Sequence, residues 1–447
     1  MFVKKALSLV LMASLANAQT MKECVIDILE SNPKVQERLK NYKALSQDVD
    51  VAESGYYPKL DLNLGIGYEN TDRYKRPTIP DKHDDDYTVY QNSLRYTQNL
   101  FNGFDTYHQV QESESRVGAA AYSFIETAND RSFEMVNTYL QLMKQVELLS
   151  TASENVEINS KILNKVRKLY DSGLTTLSEV NKIESSLSLA QSNKVVQENN
   201  LQDAEYNLQR VLGRVLDTQK MQSPDLNATT VPDTVDTATI VAMKNNPSLL
   251  VAKYNIELAQ ATYKGAKSNY YPHIDIEVSQ SMNKNLSAIE GNEDRFRAMV
   301  FLSYNIFNGF SDSSSVQKNR SRINQELATK DDLRRQVLQG LQLSYTSYNK
   351  LQEQMVYLQE YKKFSLKTLV LYGKEYDLGR RSLLDLLSSQ NDFIGAKAQI
   401  INTKYSLLFS KYRILDSMGM MVSSILDDDA VELYSKVNLK EQDKKGK

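Results

Sequence analysis

The chain has few of the residues from which catalytic and metal sites are built. Its 447 residues include one cysteine, Cys24, and three histidines, His83, His108 and His273. One cysteine excludes an internal disulfide framework, and the histidines lack the spacing of metal ligands. Neither a Gly-rich phosphate-binding loop nor a Ser-His-Asp set can be assigned. The sequence therefore predicts no enzyme, no cofactor and no metal site.

Helix breakers are scarce as well, with 8 prolines and 16 glycines in the whole chain. Residues 103–170 and 309–376 contain no proline, so each stretch predicts one helix of roughly 100 Å at about 1.5 Å per residue. Apolar residues recur there at seven-residue intervals, as at Leu341, Tyr348 and Met355, which is typical of coiled coils. The net charge of −2 does not favour nucleic acid binding.

Long apolar runs are missing except near the N-terminus. Residues 6–15 are mostly apolar, follow Lys4 and Lys5, and precede the small residues Ala16-Asn17-Ala18. This arrangement predicts a cleaved signal peptide over residues 1–18, and therefore export. The run is too short to span a bilayer, so any membrane segment of the mature chain must consist of strands.

Several short sequence motifs, called phrases below, occur twice in the chain in the same order. The phrases are YYP at 56–58 and 270–272, FNGF at 101–104 and 307–310, and YDxG at 170–173 and 376–379. Such internal repetition indicates two units built to one plan. We therefore predict a first structural repeat at 19–237, a second at 238–418, and a polar C-terminal tail at 419–447.

Each repeat also carries two stretches in which apolar and polar residues alternate. Leu60 and Leu62, for example, flank Asp61, and this period predicts strands with one apolar and one polar face. We place one β-hairpin at 58–101 and another at 272–307. In an exported chain such strands are typical of an outer-membrane barrel wall, with a soluble half-buried sheet as the alternative. Four strands cannot close a barrel, so other copies of the chain would supply the rest.

Everything else is predicted to be helical. One helix is expected before each hairpin, at about 20–54 in the first repeat, and a long helix and a return helix are expected after it. The bounds of these pairs are 103–170 and 176–212 in the first repeat, and 309–376 and 382–418 in the second. Two short helices laid end to end would match one long helix. The equatorial segment 213–237 and the tail would then form a belt where the short helices meet.

Taken together, these features resemble the family of TolC-like outer membrane efflux proteins (OEP). The resemblance implies a mainly α fold, with long antiparallel coiled-coil helices in a periplasmic tunnel and a membrane β-barrel portion. Each chain of a homotrimer would give four strands to a shared barrel of about twelve. The implied function is the outer-membrane channel, or exit duct, of a tripartite efflux or type I secretion system. The alternative is a structural periplasmic coiled-coil protein without channel activity.

The resemblance also implies partners and site residues. An inner-membrane transporter and a periplasmic adaptor would be its partners, and the adaptor would dock at the far helix tips, which are Gly173, Leu174, Thr175, Gly379 and Arg380. The periplasmic gate would be formed by Tyr376, Arg381 and Asp385, with Glu179 as a partner. Asp385 resembles the acidic residue of the constriction ring, although Ser388 stands where the family usually has a second aspartate. An ordinary exposed i,i+4 pair is the alternative for Arg381 and Asp385.

The repeated FNGF phrase is expected where a strand turns into a long helix. We expect the Asn-Gly pairs to adopt positive φ at these turns, and the phenylalanines to lie at the membrane interface. Simple packing is the alternative role for these aromatic side chains. The strand-helix junction residues are Phe101, Asn102, Gly103, Phe307, Asn308 and Gly309.

Overall fold

The structure is a computed structural model that describes residues 20–72, 84–224, 231–286, 291–426 and 429–437. The predicted signal peptide, residues 73–83 of the first predicted hairpin, residues 225–230 of the predicted equatorial segment and the last residues of the tail lie outside these ranges. The chain divides into two compact units, which we describe separately. The helical unit comprises Met1–Lys40, Ala121–Leu250 and Asp332–Lys447, and the sheet unit comprises Asn41–Ala120 and Val251–Asp331.

The sheet unit contains a four-stranded antiparallel sheet in the order β1-β2-β3-β4. Its strands are β1 at Lys59–Asp72, β2 at Asp84–Asn102, β3 at His273–Lys284 and β4 at Asn292–Ser303. Strands β1 and β4 form the two edges of this sheet. Strand β4 ends four residues before Phe307, the predicted end of the second hairpin.

One face of the sheet is apolar because the registers align the alternating side chains. Leu60, Tyr96, Val278 and Ala298 lie in one row across the four strands. This apolar face is exposed in a single chain, as shown by Leu60, which is 68% accessible. The opposite face is polar, and there Glu277 pairs with Arg95 at 3.8 Å and with Arg297 at 3.4 Å.

Most of the remaining described residues are in α-helices. They are α1 Met21–Ser31, α2 Pro33–Glu53, α3 Asp105–Asp171, α4 Leu177–Leu212, α5 Val235–Asn245, α6 Pro247–Gly265, α7 Ser311–Asp377, α8 Leu383–Ser417, α9 Met421–Leu426 and α10 Asp429–Ser435. The long helices α3 and α7 have 67 residues each. None of the helices within the described ranges combines the length and the apolarity that crossing a bilayer requires.

The single helix predicted at about 20–54 is wrong, because the structure breaks it at Asn32. Asn32 precedes Pro33 and has extended backbone angles (φ −66°, ψ 124°), since the proline ring disfavours helical geometry in the residue before it. Its Oδ1 atom accepts the N–H of Lys34 at 2.9 Å, so the residue that ends α1 also caps α2. The same break separates α5 from α6 at Asn246.

In the helical unit, tyrosine hydroxyl groups tie the segment after α4 to the long helices. Tyr139 of α3 donates to the carbonyl oxygen of Gln222 at 2.7 Å. Tyr345 of α7 donates to that of Pro232 at 2.8 Å. Because both tyrosines are buried, these bonds satisfy polar groups that would otherwise be costly to bury.

Candidate gate and docking tips

The predicted docking tips are two helix ends with the same backbone hydrogen bonds. At the end of α3, Gly173 N donates to Tyr170 O and Leu174 N to Leu169 O, both at 2.8 Å. This pair of bonds is a Schellman motif, which closes a helix with a left-handed residue. Gly173 supplies that residue with a φ of +72°.

The second tip, at the end of α7, repeats the motif. Gly379 N donates to Tyr376 O at 3.0 Å, and Arg380 N donates to Glu375 O at 2.8 Å. The φ of Gly379 is +69°. A Cβ atom at Gly379 would meet nothing within 4 Å, so the requirement for glycine comes from the backbone angle alone.

Both tips expose apolar side chains in the single chain. Leu174 is 75% accessible and Leu378 is 69% accessible. Leu177 and Leu384, at the starts of the two return helices, are exposed as well. Single exposed leucines are ordinary, but both turns carry exposed leucines, although at different positions of the turn, and such a group of apolar side chains suits a docking surface.

The structure brings Tyr376 and Glu179 together, although 197 positions separate them in sequence. The hydroxyl group of Tyr376 donates to Oε2 of Glu179 at 3.2 Å, and Thr175 Oγ1 donates to the same oxygen at 2.5 Å. Burial, together with the adjacent Glu179 carboxylate, raises the pKa of Tyr376 to about 12. The tyrosine therefore stays a neutral donor, and Glu179 joins α4 to α7 through it.

A small apolar core surrounds this contact and includes side chains from all four tip helices. Val166 of α3, Ile183 of α4 and Leu383 of α8 are buried there with Tyr376 of α7. Burying each aliphatic side chain contributes about 1.5–3 kcal/mol. Packing therefore supplies most of the adhesion between the tips, and the polar contacts fix their alignment.

Arg381 binds a carboxylate that the sequence did not point to. Its Nε and Nη2 atoms both lie 2.9 Å from Oε2 of Glu375. Its guanidinium group also lies over the ring of Tyr372, 4.2 Å from the centroid, in a cation–π contact. The bond to Glu375 raises the pKa of Arg381. Glu375 lies six positions earlier, which is not a neighbour spacing on a helix; the turn at Gly379 folds the chain back.

Asp385 is held at the start of α8 by the residue that caps this helix. Ser382 Oγ accepts the Asp385 N–H at 3.1 Å and donates to Asp385 Oδ2 at 2.8 Å. The carboxylate also lies in the first turn, where the helix dipole favours negative charge. Arg381 Nη1 approaches Asp385 Oδ2 at 4.0 Å, a longer contact than the Arg381–Glu375 pair. In the single chain, then, Asp385 acts as part of a helix cap.

Two further ion pairs near the tips were not predicted from the sequence. Lys165 of α3 pairs with Asp377 of α7, and Arg167 of α3 pairs with Glu184 of α4 at 2.6 Å. The first pair joins the two helix hairpins, in parallel with the Tyr376–Glu179 bond. Their sequence separation carries no local signal, because each pair depends on how neighbouring helices are rotated.

In the sheet unit, the strand-helix junctions adopt positive φ at Gly and Phe. The φ angles are +68° at Gly103, +66° at Phe104, +54° at Gly309 and +65° at Phe310. The expectation of positive φ was therefore correct for the glycines and wrong for the asparagines. Two left-handed residues in succession turn the chain between strand β2 and helix α3.

The asparagines of the junctions instead use their side chains. Asn102 Nδ2 donates to Thr106 Oγ1 at 2.7 Å. Asn308 Nδ2 lies 3.3 Å from Asp312 Oδ1. These bonds link the turn to the first residues of each long helix, as capping side chains do.

The phenylalanines of the junctions form two matching edge-to-face pairs. The ring centroids of Phe101 and Phe104 lie 5.3 Å apart at 88°, and those of Phe307 and Phe310 lie 5.3 Å apart at 90°. Phe104, Phe307 and Phe310 remain mostly exposed in the single chain. Such an arrangement suits rings at a membrane interface.

Comparison with known proteins identifies the family. The profile described as outer membrane efflux protein matches residues 25–214 and 241–419. The chain is 20% identical to the outer membrane efflux protein BepC of Brucella suis biovar 1, over 93% of this chain and 89% of BepC. It is also 20% identical to the outer membrane protein TolC of Escherichia coli, over 93% of this chain and 85% of TolC.

The fold agrees with these sequence matches. The solved structure of CusC superposes with a TM-score of 0.79 at 13% identity, covering 90% of this chain and 92% of CusC. Together the matches disfavour a purely structural coiled-coil protein, and the family consists of channel proteins rather than enzymes. The chain belongs to the outer membrane efflux protein family, and it is an outer-membrane exit duct for efflux or type I secretion with a helical periplasmic tunnel.

Proposed function

We propose that this duct is a homotrimer with a shared barrel of about twelve strands, four from each chain. The observation that carries this proposal is the four-stranded sheet with two free edges and one exposed apolar face. Four strands cannot enclose a lumen, whereas a twelve-stranded barrel leaves an interior wide enough for a passage. The apolar face would contact lipid, and the polar face around Glu277 would line the passage.

In this proposal the chain is exported after removal of residues 1–18, and it takes part in no catalysis. A periplasmic adaptor would bind the two apolar tips, including Leu174 and Leu378, while an inner-membrane transporter delivers the substrate. The matching Schellman turns would present both tips with the same geometry. Both efflux of small molecules and secretion of unfolded protein fit this arrangement.

The tip contacts would hold the tunnel closed until the partners engage. Tyr376–Glu179 and Lys165–Asp377 join the helix hairpins of one chain, while Arg381 is clamped by Glu375 and Tyr372. Asp385 would occur three times around the trimer axis and give the passage negative charge. Carboxylates crowded in a narrow passage attract cations.

The test is single-channel conductance of the purified protein in planar bilayers, comparing wild type with Arg381→Ser. We expect a small, mostly closed conductance in wild type and a larger one in the variant, because the substitution removes the Glu375 pair and the Tyr372 stacking. Arg380→Ser is the matched control, since Arg380 is the adjacent, exposed arginine of the same turn.

Two outcomes would contradict the proposal. Absence of conductance from every variant would exclude a pore. An equal rise in both variants would assign the effect to lost positive charge at the tip, and not to the Arg381 contacts.

A further inference from the structure

Strands β2 and β3 pair where the two halves of the sheet meet, and we call this pairing the β2–β3 joint. The residues that form it have counterparts elsewhere in the sequence, because the chain is internally duplicated. Strand β2 ends in the first FNGF phrase, and β3 follows the second YYP phrase. The second FNGF phrase follows β4 and the first YYP phrase precedes β1, and these two strands form the free edges of the sheet. A single chain therefore shows one joint formed and an equivalent joint open.

One side-chain bond marks the register of the formed joint. Asn99 lies opposite Asp275, and its Nδ2 atom donates to Asp275 Oδ1 at 2.8 Å. The residue two positions before the second FNGF phrase is Asn305, as Asn99 is for the first. The residue three positions after Pro58 is Asp61, as Asp275 is for Pro272. Both duplicates are exposed in the single chain.

The two strands that precede FNGF end at different places. Pairing between β1 and β2 stops at Thr97, but β2 continues to Asn102 because its last residues pair with β3. Strand β4 stops at Ser303, the counterpart of Thr97. Within the part of the chain that the structure describes, the five residues that follow Ser303 have no strand beside them, and this accounts for the shorter β4.

The two glycines of the junctions have unequal surroundings. A Cβ atom on Gly103 would lie 2.4 Å from the carbonyl oxygen of Ser268 and 3.0 Å from Cβ of Tyr271. A Cβ atom on Gly309 would meet nothing within 4 Å. The residues that correspond to Ser268 and Tyr271 in the first repeat are Ser54 and Tyr57.

Ser54 and Tyr57 already have the backbone needed to receive a glycine. Tyr57 N donates to Ser54 O at 3.0 Å, and Tyr271 N donates to Ser268 O at 2.9 Å. The turn in front of β1 therefore has the same hydrogen bond as the turn that Gly103 contacts. Ser268 is buried and Ser54 is exposed, as expected for one occupied turn and one vacant turn.

The aromatic contacts show the same difference. Tyr271 completes a trio with Phe101 at 6.4 Å and Phe104 at 6.2 Å between ring centroids. Around Phe307 and Phe310 the described residues provide no third ring in such contact. The counterpart of Tyr271 is Tyr57, which is 66% accessible.

We propose that β4 of one copy pairs with β1 of a second copy in the register of the β2–β3 joint. Asn305 then lies opposite Asp61 of the second copy and donates to its carboxylate. Gly309 approaches the carbonyl oxygen of Ser54 of the second copy, and Tyr57 of the second copy completes the trio with Phe307 and Phe310. This inference rests on the proposed homotrimer and specifies which residues meet at each seam.

Disulfide formation tests the register. In a Cys24→Ala background, the pair Asp61→Cys with Asn305→Cys is oxidised in outer membranes and examined on non-reducing gels. Since opposed antiparallel residues alternate between close and wide pairs, the adjacent pair Leu62→Cys with Tyr304→Cys is examined in the same way. We expect covalent species of two and three chains from at least one of these pairs.

Two control pairs make the result decisive. Asn99→Cys with Asp275→Cys samples the formed joint and should cross-link within one chain. Asn63→Cys with Asn305→Cys is displaced by two residues and should cross-link at least tenfold less than the matched pairs. Cross-linking of the displaced pair alone, or of neither matched pair while the intrachain control reacts, would overturn the register.

A charge exchange gives a second readout that needs no disulfide. Asn305→Asp would place two carboxylates at each seam and lower the temperature at which the trimer dissociates in SDS. Adding Asp61→Asn restores an amide–carboxylate pair with its direction reversed, and we expect the dissociation temperature to recover. A double variant no more stable than the single one would count against the Asn305–Asp61 contact.

The mass of wild type in detergent separates this inference from the proposed function. A wild-type monomer would remove the proposed homotrimer, and the inference with it. If wild type is a trimer but the displaced cysteine variant alone cross-links, the proposed function is retained and only this register is rejected.

Discussion

At the scale of single residues, burial determines how much each polar or charged contact contributes to stability. Arg381 and Asp385 are partly exposed, so their 4.0 Å contact is worth little by itself. Tyr376 is buried, and its bond to Glu179 cannot be exchanged for water without cost. Asp416, near the end of α8, is a carboxyl group whose ionisation is opposed by burial.

The raised pKa of Asp416 predicts that the stability of the helical unit depends on pH. Burial, and then the charge of Asp130, raise the pKa of Asp416 from 3.8 to about 7, against a smaller opposing effect of Arg413. The folded chain therefore holds this proton more tightly than the unfolded chain. Its contribution to stability is complete below about pH 4 and is lost as the pH rises to about 7.

Asp416→Asn should remove that loss. Relative to wild type, the free energy of unfolding of the variant should rise by about 1–4 kcal/mol between pH 4 and pH 8, as measured by urea titration at each pH. Asp392→Asn, at an exposed carboxylate on the same helix, is the control and should follow wild type. A wild-type-like profile for Asp416→Asn would refute the assignment.

At the scale of elements, the ends of the long helices depend on backbone angles more than on contacts. Gly379 has a φ of +69° with open space around its Cβ position, while Gly373 lies inside α7, also with open space. The two glycines therefore differ in conformation and not in crowding. Only the first is required by the turn.

Alanine at each glycine separates these effects. Gly379→Ala should lower the free energy of unfolding by about 1–2 kcal/mol, because a Cβ atom is strained in the left-handed region. Gly373→Ala should raise it by about 0.5–1 kcal/mol, because glycine is unfavourable inside a helix. Urea titrations of both variants in detergent give the comparison, and equal changes would contradict the role of the Gly379 turn.

At the scale of the whole molecule, the faces of the sheet determine what each side can contact. Val300 lies on the apolar face with 67% of its surface accessible, and the adjacent Met299 lies on the opposite face. In a barrel the first would meet lipid and the second the passage. The free edges of β1 and β4 then allow closure only with further copies.

Arginine on each face tests this assignment. Val300→Arg should cost about 2–4 kcal/mol if the residue lies near the middle of the bilayer, and should deplete trimers from the outer-membrane fraction. Met299→Arg, beside Glu277 on the polar face, should leave the trimer yield near wild type. Similar depletion by both variants would argue against a lipid-facing apolar side.

The sequence alone determined the fold class, the family and the positions of the turn glycines. These follow from local properties, since alternation marks strands, scarce proline marks long helices, and repeated phrases mark matching turns. The break at Asn32 also has a local cause, because the proline that follows it disfavours helical geometry, although the apolar pattern on its own predicted one continuous helix.

Only the tertiary structure decided which side chains meet. Glu375 rather than Asp385 is the closer partner of Arg381, and Lys165 reaches Asp377 across two hairpins. It also decided that Gly103 is crowded and Gly309 is not, although both stand in the same phrase. The physical reason is that such contacts depend on how the helices are rotated and on the order of the strands, both of which bring together residues that are far apart in the chain. The local sequence pattern cannot distinguish them, because it is the same in both halves.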